Sequence, residues 1–235
     1  MATWPRGLVP TLRAAMHALA DGDRPQLSDC SGEPPILLLH GFGTSSRVLA
    51  PLARHLRRRL GRPVLRLRLG GALPLHLGDI RRTARAVQRE IERVGGMSRA
   101  PYLDVVGHSL GGLVATYLLK VLDGGRRVRR VITLGTPHQG APIALAGALV
   151  LGLVARALWQ MVPGAPLLSE LARLPVPERS ELIAVASDAD GLVPHRFARL
   201  LPAPRQRNAR LPGLGHVDYL WSPDCFGFVQ RALAP

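Results

Sequence analysis

The chain predicts an α/β fold, a mostly parallel central sheet with helices on both faces. Three observations lead there. Short apolar runs without alternation, Ile36-Leu37-Leu38-Leu39 above all, read as strands buried on both faces of a parallel sheet. Longer stretches with apolar residues at helical spacing lie between them, so strand and helix take turns along the chain. One strand runs into Gly107-His108-Ser109-Leu110-Gly111, the strand–turn–helix setting of a nucleophile elbow.

Taken in order, Pro10 to Ala20 reads as a short amphipathic helix, with Leu12, Ala15, Met16 and Leu19 on one face. Asp21 to Pro35 is a polar connection. The Ile36–Leu39 strand stops at His40-Gly41-Phe42-Gly43, and Ser46 to Leu60 repeats Leu49, Leu52, Ala53, Leu56 and Leu60 as a helix. Pro63 to Leu69 alternates apolar residues with two arginines, a strand with one wetter face. Asp79 to Val94 is a surface helix built on Ile80, Ala84, Val87 and Ile91. Tyr102 to Val106 is the elbow strand, Leu110 to Leu122 its helix, Asp123-Gly124-Gly125 a turn and Val128 to Leu134 the next strand.

After that strand the rhythm breaks. Gly135 to Gly140 is a loop, and Ala141 to Met161 is small, apolar and helical. Pro163, Pro166, Pro175 and Pro177 cut the next stretch of chain into short pieces. Glu181 to Ser187 restores a strand. Arg196 to Leu201 reads as a short helix, Arg205 to Leu211 as a last strand and Pro223 to Ala234 as a closing helix.

A chain of 235 residues is large enough for a substantial core, and the economical description is one domain. Residues 1–33 form its N-terminal helix and connection, and about 141–176 an apolar cap or lid insertion. Hydrophobic content of 47% against 20% charged excludes a disordered chain. Lys+Arg of 31 against Asp+Glu of 16 gives a net charge of +15, a field that favours anionic partners. The positive charge is spread through Arg57-Arg58-Arg59, Arg81-Arg82 and Arg126 to Arg130, and aromatic residues are 4% of the chain. That pattern carries no nucleic-acid motif, and no nucleic-acid partner is expected. It leaves open an anionic lipid surface as partner, or a surplus of arginine on solvated faces.

Cys30 and Cys225 pair only if the fold brings the two ends of the chain together, so they leave the compartment open. No signal-peptide core or spanning segment is legible, which makes a cytoplasmic location the default expectation. Oligomeric state is not written in the sequence.

A serine hydroxyl needs a base to take its proton and a third group to orient that base. Candidates follow Ser109 in the chain order acid, then histidine. Ser187-Asp188-Ala189-Asp190 comes after a strand, and Leu214-Gly215-His216-Val217-Asp218 comes after the final strand. Loops at strand ends are where open α/β sheets place their sites. Asp188 and Asp190 both qualify as the acid.

These motifs resemble the bacterial α/β-hydrolase lipases and esterases, especially the small lipase type. The likeness covers roughly Pro35 to Leu233 through His40-Gly41-Phe42, the elbow, Asp190-Gly191-Leu192-Val193 and Gly213-Leu214-Gly215-His216. Leu122-Asp123-Gly124-Gly125 and Thr133-Leu134-Gly135-Thr136-Pro137-His138 also sit where that family has them. The resemblance implies an α/β-hydrolase fold with Ser109 as nucleophile, Asp190 as acid and His216 as base. It also implies an oxyanion hole made by the backbone N–H groups of Phe42 and Leu110. His108 and His40 read as hydrogen-bonding braces of their loops. His138 reads either as a border of the site or as a structural loop residue. Asp218 resembles a calcium ligand of some larger lipases, but its upstream region offers only Glu178 and Glu181, so no metal is expected, and no cofactor.

The implied activity is serine-dependent hydrolysis of carboxylic esters. The same three groups also serve thioesterases, amidases and acyltransferases, and a hydrolase scaffold can be a non-catalytic binding protein. The apolar insertion favours lipid-like esters. Leu149, Leu151, Leu153, Val154, Leu158, Trp159 and Met161 are too many for one stripe of a surface helix, so some face the pocket, a membrane or another chain. Leu153, Leu158 and His138 are the candidate substrate contacts. The alternative is an ordinary buried helix.

Overall fold

Each apolar run that reads as a strand pairs in one parallel sheet. The computed structural model describes residues 33–69, 78–97, 100–123, 125–151 and 155–234, with backbone alone at 94–97 and 151. The expected helix at Pro10 to Ala20, Cys30 and Leu153 lie outside the described residues. Strands β1 (Ile36–Leu39), β2 (Val64–Leu67), β3 (Leu103–His108), β4 (Val128–Leu134), β5 (Glu181–Ala186) and β6 (Gln206–Arg210) lie in the order β2-β1-β3-β4-β5-β6. All described pairings are parallel.

Alternation along these strands splits the interior in two. Leu37, Leu39, Val105, Val131 and Leu182 point into one apolar layer. Ile36, Leu38, Val106, Ile132, Ile183 and Val185 point into the other. Burying both faces is why β1 and the core of β3 read as unbroken apolar runs. The edge strand β6 is different. Its Gln206-Arg207-Asn208-Ala209-Arg210 sequence is mostly exposed, and charged side chains on an edge discourage pairing with another chain.

One layer is closed by α1 (Ala50–Leu60) and α8 (Pro223–Leu233). Helix α1 buries Leu52, Ala53 and Leu56 and stops at Gly61, whose φ of 65° continues the chain in a left-handed conformation. Helix α8 starts where the Ser222 hydroxyl accepts the Cys225 N–H, a side-chain N-cap, and buries Cys225, Phe226, Val229 and Leu233. The other layer is closed by α2 (Ile80–Met97), which buries Ile80, Ala84, Val87 and Ile91, and by α3 (Leu110–Tyr117), which is buried on every side. The elbow helix leaves α geometry early. It continues from Leu118 to Asp123 as a π-helical turn, where the sequence predicts α-helix to Leu122.

The apolar insertion is not one helix from Ala141 to Met161. It is α4 (Pro142–Leu151) and α5 (Arg156–Gln160), followed by α6 (Pro166–Arg173). Ala141 N–H donates to Met161 O at 2.8 Å, so the two ends of the segment meet. Small residues make the return possible. A β-carbon on Gly147 of α4 would lie 3.3 Å from Leu158 Cδ1 of α5. The short helix α7 (His195–Ala198) starts one residue earlier than the pattern predicts and ends three earlier.

At the opposite end of the sheet, Asp104 is fully buried at the start of β3. It accepts from Arg62 at 2.6 Å, from Arg129 at 2.8 Å and from Arg130 N–H at 3.1 Å. Arg62 also donates to Pro34 O and Leu233 O. These arginines are therefore internal ties, not part of a solvated face.

Candidate active site

The strand order reverses between β1 and β3, because the chain passes from β1 outward to β2 and then back to β3 on the other side. Ligand crevices of open α/β sheets lie outside the C-terminal ends of the strands at such a switch point. The His40–Gly43 turn after β1 and the Ser109 elbow after β3 are the two loops that meet there.

Ser109 has φ 53° and ψ −121°, a conformation that costs a non-glycine residue about 1–3 kcal/mol. Its neighbours hold it there. Ser109 N–H donates to Leu134 O at 2.9 Å, and Ser109 O accepts from Gly112 N–H at 2.9 Å and from the Thr136 hydroxyl at 3.1 Å. The turn closes on backbone alone. A β-carbon on Gly107 would lie 2.5 Å from Gly111 O, and one on Gly111 would lie 2.5 Å from Leu39 O. Both positions therefore exclude a side chain.

His216 Nε2 is 3.0 Å from Ser109 Oγ, and His216 Nδ1 is 2.9 Å from Asp190 Oδ2. The Asp190 side chain is fully buried and that of His216 is 11% exposed. Asp190 Oδ1 accepts the N–H groups of Leu192 at 3.0 Å and Val193 at 2.8 Å. One carboxylate oxygen is thus fixed by backbone, and the other is left for the imidazole. The structure brings Ser109, His216 and Asp190 into one hydrogen-bonded line.

Asp188 does a different job. It is half exposed, accepts Arg210 Nη2 at 2.8 Å and accepts Gly213 N–H at 3.0 Å. The Arg210 guanidinium, helped by that N–H, holds its carboxyl down at about 2. Asp218 is also occupied, since its Oδ2 accepts Gly215 N–H at 2.7 Å.

Leu110 is the first residue of α3, where a helix leaves its N–H groups without intrahelical partners. Phe42 follows Gly41, whose own β-carbon would lie 3.1 Å from Ser109 Cβ. The turn after β1 therefore runs directly against the elbow. His40 braces it as the sequence predicts. Leu69 N–H donates to His40 Nε2 at 3.0 Å, which leaves the proton on Nδ1 to donate to Gly41 O at 2.9 Å.

His138 lies inside the domain at hydrogen-bond distance, 2.9 Å, from Thr133 Oγ1, and burial pushes it down to about 3. Leu158 is buried in the layer shared with α4. The outer face of the insertion is apolar and open to solvent, with Leu149 73%, Val150 82% and Trp159 45% exposed. Three supports of the site were not singled out from sequence. Thr136 holds the elbow. Ser187 accepts Leu214 N–H at 2.9 Å. Tyr219, fully buried, packs within 6.3 Å of the His108 ring. Thr136 and Ser187 lie in stretches the sequence had already marked, and Tyr219 does not.

Residues 75–156, about a third of the chain and including the elbow, match the family model of the PGAP1-like alpha/beta domain. Over longer stretches the chain is similar to solved hydrolase structures. The mature form of Bacillus licheniformis lipase BlEst2 superposes with a TM-score of 0.65 at 19% identity, covering 92% of this chain and 96% of that one.

This is an α/β-hydrolase fold. Paleococcus ferrophilus monoacylglycerol lipase gives a TM-score of 0.63 at 17% identity, over 86% of this chain and 94% of that one. Aspergillus fumigatus lipase B gives 0.70 at 18% identity, over 87% of this chain but 53% of that one. The α/β-hydrolase fold explains why the strand order, the elbow and the two acid- and histidine-bearing loops converge where they do.

Proposed function

We propose that the protein is a serine-dependent carboxylic ester hydrolase. The observation that carries this reading is the unbroken line from Ser109 Oγ through His216 to Asp190 at the switch point of the sheet. Asp190 holds His216 with its proton on Nδ1, which leaves Nε2 free to accept the Ser109 proton. Ser109 Oγ then attacks the ester carbonyl, and the carbon–oxygen double bond becomes an oxyanion. Phe42 and Leu110 N–H groups stabilise that charge, a contribution of ~3–4 kcal/mol per donor, aided by the N-terminal dipole of α3. His216 returns the proton to the leaving alcohol. Water, deprotonated by His216, then attacks the acyl group and releases the acid.

The substrate class we favour is a lipid-like ester met at an anionic lipid surface. Helix α4 exposes Ile143, Leu145, Leu149 and Val150, and α5 exposes Trp159, and a concentration of exposed large apolar side chains is of the kind that marks interaction sites. The net charge of +15 supplies attraction to anionic lipid. The test is hydrolysis of 4-nitrophenyl esters of increasing acyl length, with matched thioester and amide substrates beside them and Ser109→Ala as the blank. Turnover that prefers esters with medium or longer chains, and vanishes in the blank, is the expected result. Equal turnover by Ser109→Ala would refute the reading, and preference for a thioester or amide would move the protein to another acyl-transfer class.

A further inference from the structure

We propose that His108 is a positioning residue, setting the imidazole of His216 by holding the backbone from which it projects. The inference rests on the ester-hydrolase reading and concerns how that site is kept in register. His108 is the last residue of β3 and precedes the nucleophile, yet it makes no contribution to the proton path. Its Nε2 lies 2.8 Å from the backbone carbonyl of His216. A carbonyl oxygen only accepts, so Nε2 must carry the ring proton. The other nitrogen, Nδ1, is buried and has no hydrogen-bond partner among the described residues. It lies on the side of Gly41, where a β-carbon would come within 3.0 Å of it.

The loop that carries His216 is tied down one backbone group at a time. Gly213 N–H goes to Asp188, Leu214 N–H to Ser187 and Gly215 N–H to Asp218. Those three ties stop short of His216 itself. The His108 bond is the tie on its own carbonyl, and so it fixes the peptide plane just after the imidazole-bearing Cα. Without it His216 O is left to find another donor, and the loop can rotate about that residue. Small rotations matter, because Nε2 must stay at hydrogen-bond distance from Ser109 Oγ while Nδ1 keeps Asp190.

The residue type also suits the place. The two imidazole rings lie 4.9 Å apart, tilted by 46°. Burial, with His216 adding to it, pushes His108 down to about 3. It is therefore uncharged at neutral pH. A cationic donor such as lysine at that distance would oppose the positive charge that His216 acquires while it holds the serine proton. A neutral N–H donor supplies the tether without that penalty.

The test compares His108→Gln, which keeps an N–H donor, with His108→Phe, which keeps a ring and removes it. Readouts are kcat and KM for a short-chain 4-nitrophenyl ester, the rate of Ser109 phosphonylation by a fluorophosphonate, and the urea midpoint. Loss of the tether is expected to lower kcat and the phosphonylation rate by about 10–100-fold in His108→Phe, with KM within about twofold. His108→Gln is expected to recover most of both rates. Full activity of His108→Phe, or a Gln variant as slow as Phe at equal stability, would overturn the proposal. Nitrogen NMR of the unmodified protein gives a check that needs no variant to fold. It is expected to place the His108 proton on Nε2, and a proton on Nδ1 would overturn the tether. Phosphonylation and NMR do not depend on the substrate, so an absence of ester turnover in the unmodified protein would sink the ester-hydrolase reading and leave these two measurements to decide the tether.

Discussion

Replacing Asp190 by Asn isolates the orientation of His216 from the shape of the site, because the two side chains are nearly isosteric. The surroundings dictate which way the new amide turns. Asp190 Oδ1 accepts two backbone N–H groups, from Leu192 and Val193. An amide must present its oxygen to those two donors, since its NH2 group cannot accept from them. The NH2 group is then forced to face His216 Nδ1. Two donors cannot share that 2.9 Å gap, so the imidazole shifts its proton to Nε2. That tautomer has no lone pair to receive the Ser109 proton. A wrong tautomer of this kind lowers turnover by about 10,000-fold in a serine protease triad, or ~5.5 kcal/mol in the barrier. Asp188→Asn is the matched control. Its oxygen can still accept Gly213 N–H, and the lost pair with Arg210 is half exposed, so turnover is expected within about threefold of the unmodified protein, as surface pairs contribute little. Initial rates on a short-chain nitrophenyl ester decide between them. A loss under about tenfold for Asp190→Asn, far short of the tautomer effect, or a larger loss for Asp188→Asn, would refute the assignment of the acid.

Stability supplies further tests. Asp104→Ala leaves the buried Arg62 without its carboxylate, and breaking a buried pair costs about 3–5 kcal/mol; a urea midpoint equivalent to under ~1 kcal/mol would contradict this. Burial holds His108 and His138 at about 3, below the ordinary 6.5. The unfolded chain therefore binds protons that the native state refuses as pH falls from 6.5 towards 3. The contribution of these two rings to stability is expected to be flat above that window and to fall inside it, by up to ~1.4 kcal/mol per pH unit for each ring. Urea midpoints across the window check the slope, and His108→Gln should make it shallower. Leu149→Ser with Val150→Ser changes side chains that are mostly in water, so stability should move by less than ~0.5 kcal/mol per site. Binding to anionic vesicles, followed by flotation, should weaken; unchanged flotation would remove α4 from the lipid-facing reading.

The sequence carried the parts of the structure that burial and covalent geometry dictate. Ile36–Leu39 reads as a strand because both faces of β1 are covered, and the elbow glycines announce a turn that admits no side chain. What the residues alone left open depends on contacts far apart in the chain. Asp188 and Asp190 look alike as residues. They differ because one meets Arg210 and Gly213 and the other meets His216. Likewise, the return of the apolar stretch after Ala141 upon itself depends on Ala141 N–H meeting Met161 O and Leu158 packing over Gly147. Arginine depends on such contacts too. Arg129 belongs to the basic run Arg126 to Arg130, but it pairs with a buried carboxylate at position 104.

The central claim is that His216 and Asp190 make Ser109 a nucleophile. Intact-mass spectrometry after treatment with a fluorophosphonate, combined with peptide mapping, tests it most directly. One adduct is expected per chain, on Ser109, with none in Ser109→Ala and strongly slowed formation in His216→Ala. Phosphonylation at another residue, or labelling of Ser109 at an undiminished rate in His216→Ala, would contradict the account.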